Sequence, residues 1–556
     1  MNRTIVWFRR DLRITDHAPL YRAALRGAVI PVFIFDRALL HHPETASARV
    51  AFMLECLQSL DAEMRERGGR LILRSGDPVE ILPQLIRETQ AEGIYAYIDY
   101  ERIYGRVRDA RLNQALTEQD MKIRWFEPIA GTPELRPYPA YRNLWYESMQ
   151  EGLVLTPSRI QVPPEIPSEP LPKLDKLGLV GDSKPIPVGG TAAARQLLQD
   201  FWVEKVDRYY WQLSYPGAEA TTGLSPYIKF GAISIRECVQ LAQQQVLLDP
   251  RAERSRQQLI SRLRWGSGFA QRFRYLPQLE VRSLYRVFDQ EGWEFDEDLY
   301  QAWQQGQTGF PIIDAAARCL QATGGWVQLN FRVRAIYASF LSNLLGMDWR
   351  YGALHFMRHL IDGDCPIDHY QWAMQAGVTH CVDKTWTRIY NPEQAAIDRC
   401  DPDGAFIKRW VPEVAHLAPE RLGVPGKVAN YPSAILQYKP ARQRRVKQLE
   451  QQRQLFLHQD NVLPYLARLP GDLTPFGSDR HPSETTWAQS LPDTLFPPPL
   501  DLDALDLEQA QALRTWFVAH VNIKPTKPRR KTPSKRRVRE DSGEYQQLNL
   551  LDLDFQ

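Results

Sequence analysis

Along residues 3–128, short runs of apolar residues alternate with longer stretches in which apolar positions recur every three or four residues. The runs TIVWF (4–8), VIPVFIF (29–35), RLILR (70–74), GIYAYI (93–98) and IRWFE (123–127) show little polar alternation. A strand of that kind is buried on both faces. The stretches between, 47–67 and 79–91 among them, carry helical spacing, and together they predict a doubly wound α/β domain with a parallel sheet over residues 1–130. The pattern then breaks. Eleven prolines fall within residues 131–190, and proline removes a backbone donor and blocks the preceding helical turn. The segment therefore predicts an extended Pro-rich linker with neither helix nor central strand. Beyond it no strand pattern competes. Segments 192–206, 231–248, 254–272, 310–322, 332–346, 350–361 and 504–520 have helical spacing, the first with Thr191 as its N-cap. This predicts an all-helical domain over 191–415, a C-terminal extension with helical segments over 416–520, and a tail over 521–556.

Composition changes this picture little. With 556 residues, 44% hydrophobic and 24% charged, the chain is ordinary globular protein with room for more than one domain. No apolar run approaches the roughly 18 residues of a membrane helix. The start, MNRTIVWFRRDLR, sets charge directly after its apolar patch, unlike a secretory leader. Six widely spaced cysteines without CxxC predict buried, reduced thiols, no metal site and a cytoplasmic location. Neither GxxxxGK[ST] nor GxGxxG follows a strand, and HExxH is absent, which excludes the common nucleotide and zinc motifs. The net charge of +3 hides a basic tail, nine Lys/Arg against one Glu in 524–540, followed by four acids in the last sixteen residues. Such a Pro-punctuated run is a solvated tail, serving nucleic-acid phosphates or solubility alone.

Chemistry enters in the helical part. TTGLSPYIKFGAIS (221–234) places two Thr, a Gly and a Ser just before a helix, where backbone N–H groups and hydroxyls make either an anion cradle or a simple N-cap cluster. IVWFRRDLRITDHAPL, GLSPYIKFG, AWQQGQTGFPIIDAAARCL, FRVRAIYASFL, MDWRYGALHFMRHLIDGD, RIYNPEQ and FIKRWVPE follow it or flank it. In these motifs, and in their order over roughly residues 3–415, the chain resembles the photolyase/cryptochrome superfamily. The resemblance implies an antenna-type α/β domain and a helical domain that holds FAD in a bent conformation.

Carried onto this sequence, the resemblance implies Thr221, Thr222, Gly223, Leu224 and Ser225 on the FAD phosphates, with Tyr209 also touching the cofactor. Arg334 and Asp362 match the ion pair beside the flavin ring, where a guanidinium favours an electron-rich ring and Asp362 compensates its burial. Asp364 matches a carboxylate near the cofactor. Trp372, Trp349 and Trp293 match a three-tryptophan electron relay. Trp372 follows from a gap-free count from Asp362, and a two-residue gap would put Tyr370 there instead. Asp368 matches the residue that faces flavin N5, Asn in most repair enzymes and Asp in plant-type cryptochromes, where a carboxyl can donate a proton to the reduced ring.

The match breaks at the wall that grips a pyrimidine dimer. The usual carboxylate is replaced by Arg262, and an arginine that helps hold FAD by Gly266. Trp265 keeps one aromatic wall, but the opposite Trp becomes Met374, and QLNFR (328–332) keeps Arg332 while placing Phe331 at the usual Asn. A guanidinium there adds affinity for phosphate or for single-stranded DNA. YERIYGRVRD (100–109) lacks the Glu that holds folate in some relatives, so a second antenna chromophore stays open between folate, deazaflavin and flavin, as does an empty site. QLNLL (Gln547–Leu551) resembles a short peptide that docks on bacterial sliding clamps. The expected function is light-driven repair of damaged DNA by a monomer. A blue-light photoreceptor, favoured by Asp368, and a non-photochemical flavoprotein that binds DNA are the alternatives.

Overall fold

Five parallel strands, β1 (Arg3–Phe8), β2 (Ala28–Phe35), β3 (Ile72–Ser75), β4 (Gly93–Tyr97) and β5 (Ile123–Phe126), form one sheet in the order β3-β2-β1-β4-β5. The architecture is that of a computed structural model describing residues 2–457, apart from 100, 133–137, 276, 281–282, 284–287, 289–292 and 379–388. Each strand lies at or within two residues of its predicted apolar run. All eight residues of β2 are buried, as continuous hydrophobicity demands of a strand covered on both faces. Alternation sends Val6 and Phe8 to one face, with Leu57 and Leu60 of the helix Ser47–Arg65, and Ile5 and Trp7 to the other, with Leu82 and Leu85 of the helix Pro78–Thr89. The core of the first face continues without interruption into Leu198, Phe201 and Tyr209 of the helical half. Strand order reverses between β1 and β4, so the chain leaving β1 at Arg9 and Arg10 enters a crevice at the sheet's carboxyl edge.

The linker departs from expectation in one stretch. Residues Tyr138–Gln150 are a helix. Proline density, averaged over sixty positions, masks the fact that 140–156 contains none. Pro139 falls in the first helical turn, where its missing N–H costs nothing. Tyr141, Trp145 and Met149 recur every four residues on one buried face, and the Trp145 Nε1–H donates to Ser267 Oγ at 2.9 Å. From 151 to 190 the chain is extended but for the turn Leu174–Leu177, and it runs along the sheet domain through bonds such as Ile160 N–H to Arg67 O (2.9 Å) and Glu169 N–H to Leu73 O (3.1 Å).

Thr191 does not cap the following helix. It is the first residue of the helix Thr191–Glu204, and Gly190 occupies the cap position at φ +98°. A Cβ on Gly190 would lie 1.9 Å from Ser59 Oγ, so only glycine lets this helix start flush against Ser47–Arg65. In the helical half, Pro250–Tyr275, Pro311–Thr323, Phe331–Ser339, Trp349–His359 and Cys365–Gln375 surround a core that includes Val414, Leu417, Tyr431 and Ala441. The helix expected over 332–346 changes register at its end into a wide turn, Phe340–Leu345, from which Asn343 donates to Gln375 O at 2.9 Å. The last described helix, Tyr438–Leu457, packs on that turn. The helix expected over 504–520, the basic run 524–540 and the clamp-like Gln547–Leu551 lie outside the described residues. Among the described residues no helix is long and apolar enough to cross a membrane, and Cys56, Cys238, Cys319, Cys365 and Cys400 are buried free thiols.

Gly190→Ala is expected to lower stability by roughly 1–3 kcal/mol, because it adds strain and a steric overlap at a packed helix start. Gly152→Ala, which meets nothing within 4 Å, serves as control. Urea unfolding midpoints check the pair, and equal midpoints would contradict the packing described.

Candidate functional site

A hollow of about 570 Å³, within the size range of small-molecule sites, opens where the helical half meets the carboxyl edge of the sheet. Three helices each turn one stripe toward it. Cys365–Gln375 contributes Asp368, Gln371, Trp372 and Gln375 at helical spacing, preceded by Asp364. Pro250–Tyr275 contributes Leu259, Arg262, Gly266 and Ala270, and Phe331–Ser339 contributes Phe331, Arg334 and Ala338. The predicted Tyr209, Trp265, Asp362 and Met374 also line it, whereas Tyr370, the alternative to Trp372, does not.

The electrostatics of the hollow are uneven. Arg334 Nη2 bonds both oxygens of Asp362 at 3.1 Å, and its Nε donates to Leu329 O at 2.8 Å, so the guanidinium is fixed in place. Asp368 is buried, and its Oδ2 has no hydrogen-bond partner. Burial pushes its carboxyl up to about 8, the Glu44 carboxylate acting in the same direction and His369 and Arg334 against it. Trp372 likewise presents a buried Nε1 without a partner. Its ring fits only because residue 352 is glycine, since a Cβ there would lie 2.2 Å from the indole. Arg262 is half-buried with its guanidinium 4.0 Å above the Phe331 ring, and no carboxylate pairs with it among the described residues. Burial, reinforced by Arg332, pushes it down to about 10, which leaves it charged at neutral pH.

Thr222, Leu224 and Ser225 reach the hollow, while Thr221 and Gly223, in the same loop, do not line it. Gly223 takes φ +73° and its carbonyl accepts from Trp326 Nε1 at 2.9 Å; the Thr221 carbonyl accepts from Lys205 Nζ at 3.4 Å. Arg332 points away, toward Tyr390 Oη at 3.3 Å. Trp349 and Trp293 also lie outside the lining. Trp349 is fully buried and donates from Nε1 to Ser283 Oγ at 3.0 Å, its ring against His369. Trp293 is half-buried beneath the guanidinium of Arg445, 4.5 Å from its ring.

Sequence reasoning missed the charges that join the two halves. Arg10, just past β1, bonds Asp99 and reaches Asp364 at 2.8 Å, and Lys229 pairs with Glu101. Asp364 thus faces the sheet domain as well as the hollow. Arg102 bridges Glu44 (2.7 Å) and Glu280 (2.9 Å), and Glu44 also holds His369 at 3.0 Å. Burial opposes charge on that imidazole, but Cys365 and Glu44 beside it raise its pKa well above the usual value. Glu44, Cys365 and His369 bring donor atoms within 4.8 Å of one another, a metal-like grouping that was not expected. The imidazole and carboxylate already satisfy each other, however, and Arg102 holds a cation on the same carboxylate. Only the basic pair following β1, part of RRDLR, signalled any of this in advance.

Residues 4–128 match the family described as DNA photolyase, and residues 259–451 the one described as FAD binding domain of DNA photolyase. The deoxyribodipyrimidine photo-lyase of Synechococcus sp. is 34% identical over 479 residues, covering 81% of this chain and 96% of that protein. A Sulfolobus tokodaii photolyase solved with two FAD molecules, implying a novel light-harvesting cofactor in that protein, superposes with a TM-score of 0.70 at 28% identity, covering 82% of this chain and all of the other. A cryptochrome of Synechocystis sp. shares the fold, with a TM-score of 0.72 at 23% identity over 80% of this chain and 99% of its own.

Because the Asp368 pKa rises on folding from 3.8 to about 8, the folded chain binds the extra proton between those values. Stability from this group is therefore lost as pH rises from about 4 to about 8, at no more than about 1.4 kcal/mol per pH unit. Asp368→Asn should flatten the decline, as measured by urea unfolding of both proteins at pH 5, 6.5 and 8. Parallel curves would remove the assignment.

Proposed function

The chain belongs to the DNA photolyase family, and from that premise we propose that it is a blue-light-driven FAD enzyme that splits pyrimidine dimers in DNA. It is a photolyase-like enzyme, and its cofactor is FAD. The observation that carries the proposal is the hollow itself, where an oxidisable indole, a fixed Arg–Asp pair and a carboxyl of raised pKa converge around unpartnered polar atoms. The residues present fit the cofactor: buried Asp368 Oδ2 and Trp372 Nε1 lack partners that a polar ring edge would provide, and the hydroxyl-bearing Thr222 and Ser225 line the same hollow.

Bound FAD supplies the light-excited electron that a dimer needs to split. This chain's residues do the rest. Arg334, immobilised by Asp362 and two backbone carbonyls, offers a guanidinium to the electron-rich ring edge. Asp368 stays largely protonated at neutral pH and can hold or deliver a proton beside that edge. Trp265 gives an extruded base an apolar face, as photolyases require. Arg262 replaces the hydrogen-bond acceptor expected of this wall with a cation whose charge no acid cancels, so it suits the nucleic-acid backbone better than a neutral base. That difference favours a substrate held mainly by phosphate, and single-stranded over duplex DNA. The relative with two FAD molecules also supports a second, light-harvesting chromophore, and YERIYGRVRD, without the particular Glu that holds folate in some relatives, turns that choice away from folate.

A photoreceptor is the second reading, favoured by Asp368 and by the altered wall at Arg262 and Met374. A carboxyl that keeps its proton at neutral pH and lines the cofactor's hollow would suit a light sensor, since it could hold or deliver a proton there.

Oligonucleotides carrying each pyrimidine dimer, single- and double-stranded, decide between the two under blue light and in the dark. Light-dependent loss of a dimer supports the enzyme; intact dimers beside efficient photoreduction support the sensor. Asp362→Ala is expected to lose FAD on purification, because the Arg334 cation is then uncompensated. Full yellow colour in that variant would break the cofactor assignment.

A further inference from the structure

A continuous row of rings leaves the hollow from Trp372. Trp303 meets Trp372 edge-on with centroids 6.2 Å apart, and lies parallel to Tyr300 at 5.9 Å and to Tyr337 at 4.2 Å. Tyr300 meets Tyr351 at 5.7 Å, and Tyr351 stacks at 4.6 Å on Phe295, which is 48% exposed. The row thus joins the hollow to solvent with no step longer than its first. Among the described residues, neither Trp349 nor Trp293 makes a ring contact with Trp372 or with the other.

Charge separates the two directions further. An indole that gives up an electron becomes a cation. Over Trp293 sits the Arg445 guanidinium, buried, whose hydrogen bonds all end on neutral acceptors: Asn343 Oδ1 (3.1 Å), Gln448 Oε1 (2.6 Å) and the Ala376 carbonyl (2.9 Å). Among the described residues no acid offsets it, so a vacancy on Trp293 is opposed at close range. Trp303 faces the reverse situation. Its imidazole neighbour is His355, 5.0 Å away, which burial and the neighbouring His359 and Arg358 keep neutral, and the parallel Tyr337 ring spreads any positive charge.

Resting on the FAD photochemistry proposed above, we infer that an electron vacancy formed on Trp372 leaves through Trp303 and Tyr300 to Tyr351, and that Arg445 keeps it off Trp293. Trp372 loses one electron to light-excited FAD and regains one from Trp303, which is refilled by Tyr300, and Tyr300 by Tyr351. The Tyr300 phenol donates to the Tyr351 carbonyl at 3.0 Å, an acceptor too weak to take the proton, so Tyr300 relays the vacancy and does not store it. Tyr351 reaches solvent. It ends the row by losing an electron together with its phenolic proton, which passes to water. An external thiol then returns one hydrogen atom to the tyrosyl radical and leaves the flavin reduced by one electron.

The test is flash excitation of the FAD-loaded full chain, with transient absorption and electron paramagnetic resonance to tell tyrosyl from tryptophanyl radicals. The wild type should give a tyrosyl radical. In Tyr300→Phe and in Tyr351→Phe that signal should fall at least tenfold, with FAD absorption confirming the fold. Arg445→Gln should raise a tryptophanyl signal severalfold, Arg445→Lys should match the wild type, and adding Trp293→Phe to Arg445→Gln should abolish the new signal. Unchanged tyrosyl yield in both Tyr variants, or no new radical in Arg445→Gln, overturns the route. A wild type that is photoreduced yet shows tryptophanyl radicals alone overturns it as well, while leaving the flavin photochemistry intact. An FAD-loaded wild type with no radical at all overturns both.

Discussion

Two domains keep a hollow between them only if their facing surfaces cannot slide, and here that constraint is ionic. Arg10 and Arg102 from the sheet domain reach acids on the helical side, Asp364 and Glu280, and Glu44 reaches back to His369. Buried pairs such as Arg102–Glu280 and Glu44–His369 add little net stability, but losing one partner strands a charge at a cost of about 3–5 kcal/mol. They therefore act as positioning devices. The helix Cys365–Gln375 is held at its start through Asp364 and on its back through His369. That leaves the adjacent Asp368 and the next-turn Trp372 turned to the hollow with no freedom to rotate away.

The same economy governs charge within the site. Arg334 is compensated by Asp362, whereas buried Arg445 and half-buried Arg262 have no acid beside them among the described residues. A buried cation of the second kind costs free energy in the unliganded protein, which makes sense only where it acts on something else. Arg262 lines the hollow, where the proposed substrate would meet its charge. Arg445 instead lies on an aromatic ring and makes its own local field. The acid that breaks the rule in the opposite sense, Asp368, avoids the penalty by keeping its proton.

The sheet was legible because a strand covered on both faces leaves a mark in one dimension, a short run with no polar residue, and β2 is buried at every position. The helix Tyr138–Gln150 was not, since a proline count averages over the stretch where it matters least. The lining residues were found through motifs, which preserve helical spacing along one face. The relation between Trp303 and Trp372 could not be found in that way. Trp303 stands inside AWQQGQTGFPIIDAAARCL, but what its ring touches depends on how two helices cross. Likewise Glu44 and His369 are 325 positions apart, and Arg445 belongs to a polar helix beyond the last motif. Hydropathy carries no trace of partners at that range.

Gly352 matters for what it lacks. The Trp372 indole rests where a side-chain carbon of any other residue would stand. Electron tunnelling falls off exponentially with separation, so a ring displaced by one methyl group changes the pace of the first jump far more than it changes the protein's shape. Any residue but glycine there would have to push the Trp372 ring, and Leu341 beside it, out of their places, so the ring's position and the packing around it are set by one missing carbon.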